Sequence, residues 1–224
     1  MNSPVTAMDV AGLMWGIILG LCFLLVANSK KQLVRGKEDD GPSTSWFEDT
    51  GTEVLVHGSW MQTRTNKTFA SFQGIPYASP PVGSKRFLRP EAVQYNTTLT
   101  TIDARGIFKT ACPQPGVLYD TAMSEDCLYL NVYTFEGEVS LRPVMVFIHG
   151  GAFYSGDGTF GSFGPQHILD QDVIVVTVNY RLGALGFLSL GSAVMPGNMG
   201  LWDQNTALNG SRNILFTLEG IQTW

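Results

Sequence analysis

The part of this sequence best suited to chemistry is the motif HGGAF at residues 149–153, which directly follows the apolar run 144–148. Glycines at the C-terminal end of a strand let the backbone turn sharply and aim its N–H groups at a ligand. Donors arranged in this way suit an oxyanion. An ordinary tight turn remains an alternative, whereas a phosphate-binding loop is disfavoured because the G-K-[ST] ending of such loops is missing.

Strands must position this motif. Three apolar runs, at 128–134, 144–148 and 173–178, are rich in β-branched and aromatic residues, and each predicts a strand. The last two show no polar alternation, which is typical of parallel strands covered on both faces in an α/β protein. The segment between them predicts a glycine-rich loop followed by at most a short helix.

The composition excludes several classes of protein. The chain has 224 residues and a formal net charge of -5 with no clustered basic face, so a nucleic-acid-binding domain is excluded. Its content of 44% hydrophobic and 15% charged residues is too apolar for a disordered chain. Three cysteines without a C-x-x-C pair exclude a zinc ribbon and a thioredoxin-like site, and we expect no metal and no cofactor.

The N-terminus has the features of a targeting segment. Residues 10–27 are apolar and uncharged, which is long for the core of a signal peptide and short for a membrane-spanning helix. Small residues at 27 and 29 favour cleavage, so residues 1–29 are predicted to be a signal peptide, with a signal anchor as the alternative. Only residues 10–27, if uncleaved, would contact a membrane. Residues 30–52 are charged and rich in turn formers, and predict a mobile linker.

Sequons and thiols favour the secretory pathway. Asn66 and Asn96 begin N-x-[ST] sequons, the acceptors of N-linked glycans in secreted proteins. Closing the loop between Cys112 and Cys127 would stabilise the fold by about 3 kcal/mol in the chain-entropy model, and two free buried thiols are the alternative. We therefore predict a secreted or extracellular protein, with a membrane-anchored one as the alternative.

Several motifs, taken together in their order and spacing, resemble the type B carboxylesterase and cholinesterase family. They are FQGIPYA at 72–78, PPVG at 80–83, RF at 86–87, SEDCLYLNV at 124–132, HGGAF at 149–153, NYR at 179–181 and GNMGL at 197–201. The resemblance covers about residues 53–208, and SEDCLYLNV is its most specific part. Phe135 is a minor departure, because the family's cysteine signature usually ends in proline there.

The resemblance implies an α/β-hydrolase fold, with residues 53–208 as the N-terminal part of a type B carboxylesterase domain, truncated before the nucleophile elbow. It also implies that Cys112 and Cys127 form a disulfide and that Arg86 pairs with Glu125, a pair that could equally be a plain surface ion pair.

The resemblance further assigns a role to two residues of the HGGAF motif. Gly151 and Ala152 match the residues whose N–H groups form part of the oxyanion hole, where each donor contributes a few kcal/mol of transition-state stabilisation. Ala152 replaces the usual third glycine. Alanine keeps the N–H group and adds a methyl group beside the acyl pocket, so hydrolysis stays possible and the acceptable substrate size changes.

Hydrolysis of this kind also needs a serine on a G-x-S-x-G elbow, followed by an acid and a histidine. None of the serines in the 224 residues has glycine two positions away on both sides. His149 precedes the oxyanion glycines, and His57 and His167 lie in predicted turns, so none of the three is assigned as a general base. We expect this chain alone to be inactive, with the strands at 144–148 and 173–178 left uncovered.

Residues 209–224 diverge from the family, which continues with roughly WV-x-x-NI and FGG[DN]PN. Reading from the third base of the Asn209 codon permits Trp and Val, then Ile, and later Phe-Gly-Gly, Asn or Asp, Pro and Asn. We therefore hypothesise a frameshift, a splice-site slip or a gene-model error just before Asn209, in which case the sequon at Asn209 is accidental.

The leading function is that of a secreted carboxylic-ester hydrolase acting through an acyl-enzyme, with a small carboxylic ester as the substrate of the full-length protein. A catalytically inactive adhesion or binding protein is the alternative, since the family includes such members. A natural short isoform or decoy is a further alternative.

Overall fold

A computed structural model describes residues 21–26, 34–35, 41–47, 52–95, 97–106, 110–116, 122–135 and 142–219. Its strands are β1 (Leu21–Val26), β2 (Val34–Arg35), β3 (Pro42–Phe47), β4 (Glu53–His57), β5 (Ser59–Gln62), β6 (Thr68–Pro76), β7 (Leu99–Asp103), β8 (Thr110–Ala111), β9 (Ala122–Met123), β10 (Tyr129–Thr134), β11 (Pro143–Ile148) and β12 (Ile174–Val178). Its helices are α1 (Phe160–Phe163), α2 (Gly183–Phe187) and α3 (Met199–Glu219), with 3-10 turns at Gly83–Lys85 and Leu169–Gln171.

The main sheet has six strands in the order β1-β11-β12-β10-β6-β5. The three predicted strands are confirmed as β10, β11 and β12, and β11 and β12 pair in parallel as predicted. The other neighbours in this sheet pair antiparallel. The sheet is therefore mixed, and its parallel pair carries the HGGAF motif at its C-terminal end.

The expectation that β11 and β12 lie uncovered is wrong. All five residues of β12 are buried, and β11 buries Val144, Val146 and Ile148. One apolar cluster, including Tyr133, Leu169 and Val175, covers one face of the sheet, and a larger cluster covers the other. The free edge of β11 pairs with β1 along its whole length.

The segment predicted as a targeting sequence therefore contributes in part to the fold. Leu21 to Val26 run antiparallel to β11, with Leu21 opposite Ile148 and Val26 opposite Pro143. Residues 1–20 and 27–33 lie outside the described residues, so most of the predicted leader does too. Of the helices in the described ranges, none combines the length and the apolar character that crossing a bilayer requires.

A second sheet, in the order β2-β3-β4-β7, includes part of the predicted linker. Residues 42–47 form β3, in which Thr44 and Trp46 are buried against the core, so this stretch is not a linker. Thr44 and Trp46 alternate with Ser43 and Ser45, which is the strand signal, and the surrounding charges and turn formers obscure it in composition.

Helix α3 closes the fold by packing on β3, β10 and β12. Asp203 and Ala207 are fully buried in its first half, and Ile214 is nearly so in its second half. Asn209 and Gly210, with the aromatic residues Trp46, Tyr77 and Tyr95 opposite, line a cavity of about 310 Å³. The helix thus continues without a break into the part of the sequence that departs from the family.

Candidate active site

The end of β11 delivers the HGGAF motif to the edge of the sheet. His149 is buried, residues 150–154 are exposed, and the chain is buried again from Asp157 to Thr159. We call residues 149–158 the oxyanion loop. Both ends of this loop are fixed in the interior, and its middle faces solvent, where a substrate could reach it.

The exposed part of the oxyanion loop has an unusual backbone. Gly151, Ala152 and Phe153 have consecutive positive φ angles of 112, 53 and 59°. A Cβ atom on Gly151 would collide with the carbonyl oxygen of Ser155, so only glycine fits there. For alanine and phenylalanine, the left-handed conformation costs about 1–2 kcal/mol per residue. Strain of this kind is concentrated at functional sites.

The turn is closed by its own backbone. The carbonyl oxygen of Gly151 accepts hydrogen bonds from the N–H groups of Tyr154 at 2.9 Å and Ser155 at 3.1 Å. Among the described residues, no acceptor is bonded to the N–H groups of Gly151 or Ala152. These two exposed donors are therefore free to bind a developing negative charge, which is the chemistry of an oxyanion hole.

His149, which precedes this turn, is held in the interior by contacts with Tyr180. Its ring stacks on Tyr180 with the centroids 4.4 Å apart, and its carbonyl oxygen accepts a hydrogen bond from the Tyr180 hydroxyl at 3.0 Å. Its Nδ1 lies 2.9 Å from the carbonyl oxygen of Gly150, and since a carbonyl only accepts, Nδ1 carries the hydrogen. Burial lowers the pKa of His149 below its usual value of 6.5. His149 is thus a buried neutral support.

The other two histidines lie elsewhere. His57 ends β4 in the second sheet, and His167 contacts the guanidinium of Arg64 on the surface at 3.0 Å. Within the described part of the chain, neither His57 nor His167 contacts the oxyanion loop. None of the three histidines, His57, His149 and His167, was predicted to be a general base.

The C-terminal end of the oxyanion loop is fixed by three buried polar side chains. The N–H of Gly158 donates to Asn179 Oδ1 at 2.8 Å, and its carbonyl oxygen accepts from Asn131 Nδ2 at 2.8 Å and from Thr177 Oγ1 at 2.6 Å. A Cβ on Gly158 would collide with the backbone of Val178, so the loop passes directly over β12.

Sequence analysis did not identify Asn131 or Asn179 as supports of the site. The pairing of β10 with β6 shifts register between Leu130 and Val132, so Asn131 lies at a bulge. Bulges redirect side chains near functional sites. A polar residue inside the apolar motif LYLNV was the available clue.

The predicted disulfide and ion pair both occur in the structure. Cys112 and Cys127 are bonded, with their Cα atoms 5.1 Å apart. Arg86 Nη2 donates to Glu125 Oε1 at 2.9 Å, and both side chains are partly exposed. The hydrogen bonds with Arg86 hold the pKa of Glu125 below its usual value.

A second ion pair is entirely buried, and it went unpredicted. Asp203 of α3 accepts hydrogen bonds from Arg181 Nε at 2.8 Å, Nη2 at 2.7 Å and the backbone N–H at 3.0 Å. Arg181 Nη1 also donates to the carbonyl oxygen of Arg86 at 2.9 Å. This pair joins the end of β12 to α3 and to the segment that carries the Arg86–Glu125 pair.

Of the two predicted glycosylation sites, Asn66 and Asn96, only Asn66 lies within the described residues. Asn66 is exposed in the turn between β5 and β6, with a φ of 62°. Asn96 lies outside the described residues. Within the described ranges, no group of three His, Cys, Asp or Glu side chains is placed to hold a metal ion.

Comparison with known proteins gives this geometry its context. Residues 50–210 match the model of the Carboxylesterase family. The chain is 47% identical over 159 residues to juvenile hormone esterase of Tribolium castaneum, a match that covers 68% of this chain and 26% of that protein. It is 40% identical over 190 residues to a carboxylic ester hydrolase of Bombus ignitus, covering 79% and 33% respectively.

Solved structures agree with the sequence matches. Juvenile hormone esterase of Manduca sexta aligns with a TM-score of 0.66 and 36% identity over 79% of this chain and 34% of that one. The chain therefore spans about a quarter to a third of the length of these relatives. These neighbours confirm the predicted α/β-hydrolase fold, of which the chain contains an N-terminal part. The chain belongs to the carboxylesterase family.

Proposed function

We propose that this chain supplies the oxyanion-binding part of a carboxylic-ester hydrolase that acts on small carboxylic esters. The observation that carries the proposal is the pair of N–H groups of Gly151 and Ala152, which lie on exposed residues with positive φ angles and have no acceptor within the described part of the chain. When a nucleophile attacks an ester, its carbonyl oxygen becomes negative. Two such donors would bind that oxygen more strongly than the neutral carbonyl of the substrate.

The remaining catalytic groups lie outside the 224 residues. The full reaction requires a serine that attacks the ester carbon, a histidine that accepts the serine proton and returns it to the leaving alkoxide, and an acid that orients the histidine. The acyl-enzyme is then hydrolysed by water. We propose that the 224-residue chain alone does not turn over esters, since it contains no G-x-S-x-G motif.

Backbone strain favours hydrolysis over the adhesion alternative. Ala152 and Phe153 hold left-handed conformations that cost energy and leave the neighbouring donors unpaired. A surface used only for adhesion gains nothing from this arrangement. In an esterase, the same energy positions the donors before the reaction begins.

We propose further that the protein enters the secretory pathway. The buried disulfide suits an oxidising compartment, and the exposed turn at Asn66 is accessible to a glycosyltransferase. Signal cleavage near residue 29 would remove β1 from the sheet, and an anchor would place residues 21–26 in the membrane, so in either case β1 would not pair with β11 in the mature protein. Mass spectrometry of the mature N-terminus from a eukaryotic host distinguishes the two, and a mobility shift with glycosidase tests Asn66.

The experiment that tests the function begins with the transcript. Sequencing across the codons for residues 205–224 and downstream shows whether a shifted frame leads into FGG and G-x-S-x-G. The longer product and the 224-residue chain are then assayed with 4-nitrophenyl acetate. We expect an acyl-enzyme burst from the longer protein and none from the chain. A longer product that contains the elbow and hydrolyses no ester would refute the proposal.

Gly151→Ala in the longer protein should lower kcat, because it displaces the donors, while Gly150→Ala is the matched control. Gly150 has no positive φ, and a Cβ there would meet open space. Removal of one oxyanion donor typically lowers kcat by about 100-fold to 1,000-fold.

A further inference from the structure

We propose that Gln114 is a positioning residue, which fixes the oxyanion loop to the frame of the disulfide. Its side chain forms a two-way bridge to the backbone of Gly156. The Oε1 atom accepts from the N–H of Gly156 at 2.7 Å, and the Nε2 atom donates to its carbonyl oxygen at 2.8 Å. The two residues are 42 positions apart in sequence.

Gly156 transmits this constraint to the site. Its φ is 117°, and a Cβ atom on it would collide with the ring of His149 and the carbonyl oxygen of Gly150. The backbone of Gly156 is therefore in direct contact with the residues that begin the turn. A shift of Gly156 moves His149 and Gly150, and with them the N–H groups of Gly151 and Ala152.

The other end of the bridge is rigid. Gln114 Nε2 also donates to the carbonyl oxygen of Cys112 at 3.1 Å, and Cys112 is buried and bonded to Cys127. The preceding strand β8 is held as well, because Asn179 Nδ2 donates to the carbonyl oxygen of Thr110 at 2.7 Å. Gln114 thus connects a cross-linked frame to a strained, exposed turn.

The bridge is local, which makes it separable from folding. Gly158 remains fixed by Asn131, Thr177 and Asn179 when Gln114 is changed. Loss of the bridge should loosen the loop between residues 149 and 156 and leave β12 intact. The catalytic consequence rests on the proposed function, whereas the structural one does not.

The test is amide hydrogen exchange of the disulfide-bonded chain, at single-residue resolution. The reporters are the N–H groups of Tyr154 and Ser155, which donate to Gly151, and of Gly156 itself. Gln114→Met removes both hydrogen bonds at nearly constant length. Gln114→Glu keeps an acceptor for the Gly156 N–H. The control is Gln94→Met, since the Gln94 side chain is exposed and, among the described residues, its amide bonds only to the carbonyl oxygen of Ala92, at 3.5 Å.

We expect exchange at the three reporters to rise about fivefold to tenfold in Gln114→Met, because the hydrogen bonds of the bridge are lost and the net contribution of each is modest. Gln114→Glu should raise exchange at the Gly156 amide less than Gln114→Met does, since one carboxylate oxygen can still accept from this N–H, while the other faces the carbonyl oxygens of Gly156 and Cys112 with no hydrogen to donate. Exchange in β12 should not change in any variant. Unchanged reporters in Gln114→Met, or an equal rise in β12, would overturn the proposal.

In the longer esterase, Gln114→Met should lower kcat about tenfold and leave KM nearly unchanged, because oxyanion donors act on the transition state. A rise in KM at constant kcat would overturn the positioning role. A parent protein without esterase activity would refute the proposed function instead, and the exchange ratios would still decide the role of Gln114.

Discussion

The oxyanion loop and the second half of α3 differ in how well the sequence fits its surroundings. At the base of the loop, Gly158 has a hydrogen-bond partner for both its N–H and its carbonyl oxygen. Glycine stands at 151, 156 and 158, where a side chain would collide with backbone or with the His149 ring. At these positions the backbone conformation accepts only glycine, and glycine is the residue present.

Helix α3 fits its surroundings less closely at residues 209 and 210, although Ser211 and Ile214 farther along are buried. Gly210 lies in the middle of the helix, where glycine is about 1 kcal/mol less favourable than alanine. Asn209, Gly210 and Ile214 border the cavity of about 310 Å³ beneath the helix. The cavity separates this part of the helix from some of the aromatic residues that line its other side.

The less closely packed stretch of α3 begins near the end of the family match. The Carboxylesterase family model covers residues 50–210, and the codon argument places the divergence just before Asn209. A mid-helix glycine beside a cavity is compatible with an altered reading frame, because helical propensity can survive where close packing is lost. The altered tail stays a prediction, which sequencing of the transcript tests.

The largest expected loss of stability comes from breaking the buried ion pair that joins the end of β12 to α3. Asp203→Asn leaves Arg181 buried without its carboxylate, and removing one partner of a buried pair costs about 3–5 kcal/mol. Urea unfolding followed by tryptophan fluorescence measures the change. Asp103→Asn is the control, because its ion pair with Arg105 is exposed and should not shift the midpoint. Equal effects of the two variants would show that α3 is not anchored by this pair.

The second effect tests whether the oxyanion loop is as closely specified as its contacts indicate. Gly151→Ala should destabilise the chain by at least about 2 kcal/mol, because it combines a positive φ with a collision at Ser155. Gly150→Ala, one residue earlier, should leave the free energy of unfolding within about 0.5 kcal/mol of the parent value. If both variants unfold at the same urea concentration, the loop accommodates a side chain at residue 151 and is not closely specified by its contacts.

Much of the fitted region could be predicted from the sequence. The β-branched runs identified β10, β11 and β12 because strand propensity and two-sided burial are local properties of a run. The HGGAF motif located the turn for the same reason, since glycine itself provides the conformational freedom. The resemblance then supplied the pairing of Cys112 with Cys127.

What could not be predicted depends on contacts between distant residues. Gln114 meets Gly156 over 42 positions, and Asn131 meets Gly158 over 27. Single polar side chains in loops or inside apolar runs carry no periodic pattern that would identify their partners. The strand at 42–47 was missed because its neighbours dominate the composition, and β1 because an apolar leader and a β-strand have the same residue types.

The third prediction compares the two halves of α3 by a glycine-to-alanine substitution in each half. A Cβ on Gly200 would collide with the carbonyl oxygen of Arg181 and with the ring of Phe187, so Gly200→Ala should destabilise by about 1–3 kcal/mol. A Cβ on Gly210 would approach Tyr77 Cβ to 3.1 Å beside the cavity. Gly210→Ala should therefore stabilise by about 0.5 kcal/mol, since the gain in helical propensity exceeds a small shift of Tyr77. Destabilisation of similar size at both positions would remove the contrast.

The smallest effect concerns protonation at the base of the oxyanion loop. Burial lowers the pKa of His149 from its usual 6.5, so the unfolded chain binds a proton at a pH where the folded chain does not. The free energy of unfolding therefore rises with pH in that interval. This contribution is fully present above pH 6.5, and it is lost as the pH falls from there through the lower pKa of the folded state.

His149→Phe isolates this contribution, because phenylalanine can keep the stack on Tyr180 and cannot titrate. Urea titrations between pH 8 and pH 5 should show a stability difference between the parent and the variant that shrinks as the pH falls, while the carboxyl groups contribute equally to both and cancel. A difference that stays constant over this range would mean that protonated His149 is accommodated, with the exposed edge of the loop admitting water to the ring. The close packing at the base of the loop, on which the comparison with α3 depends, would then extend only from Gly156 to Gly158.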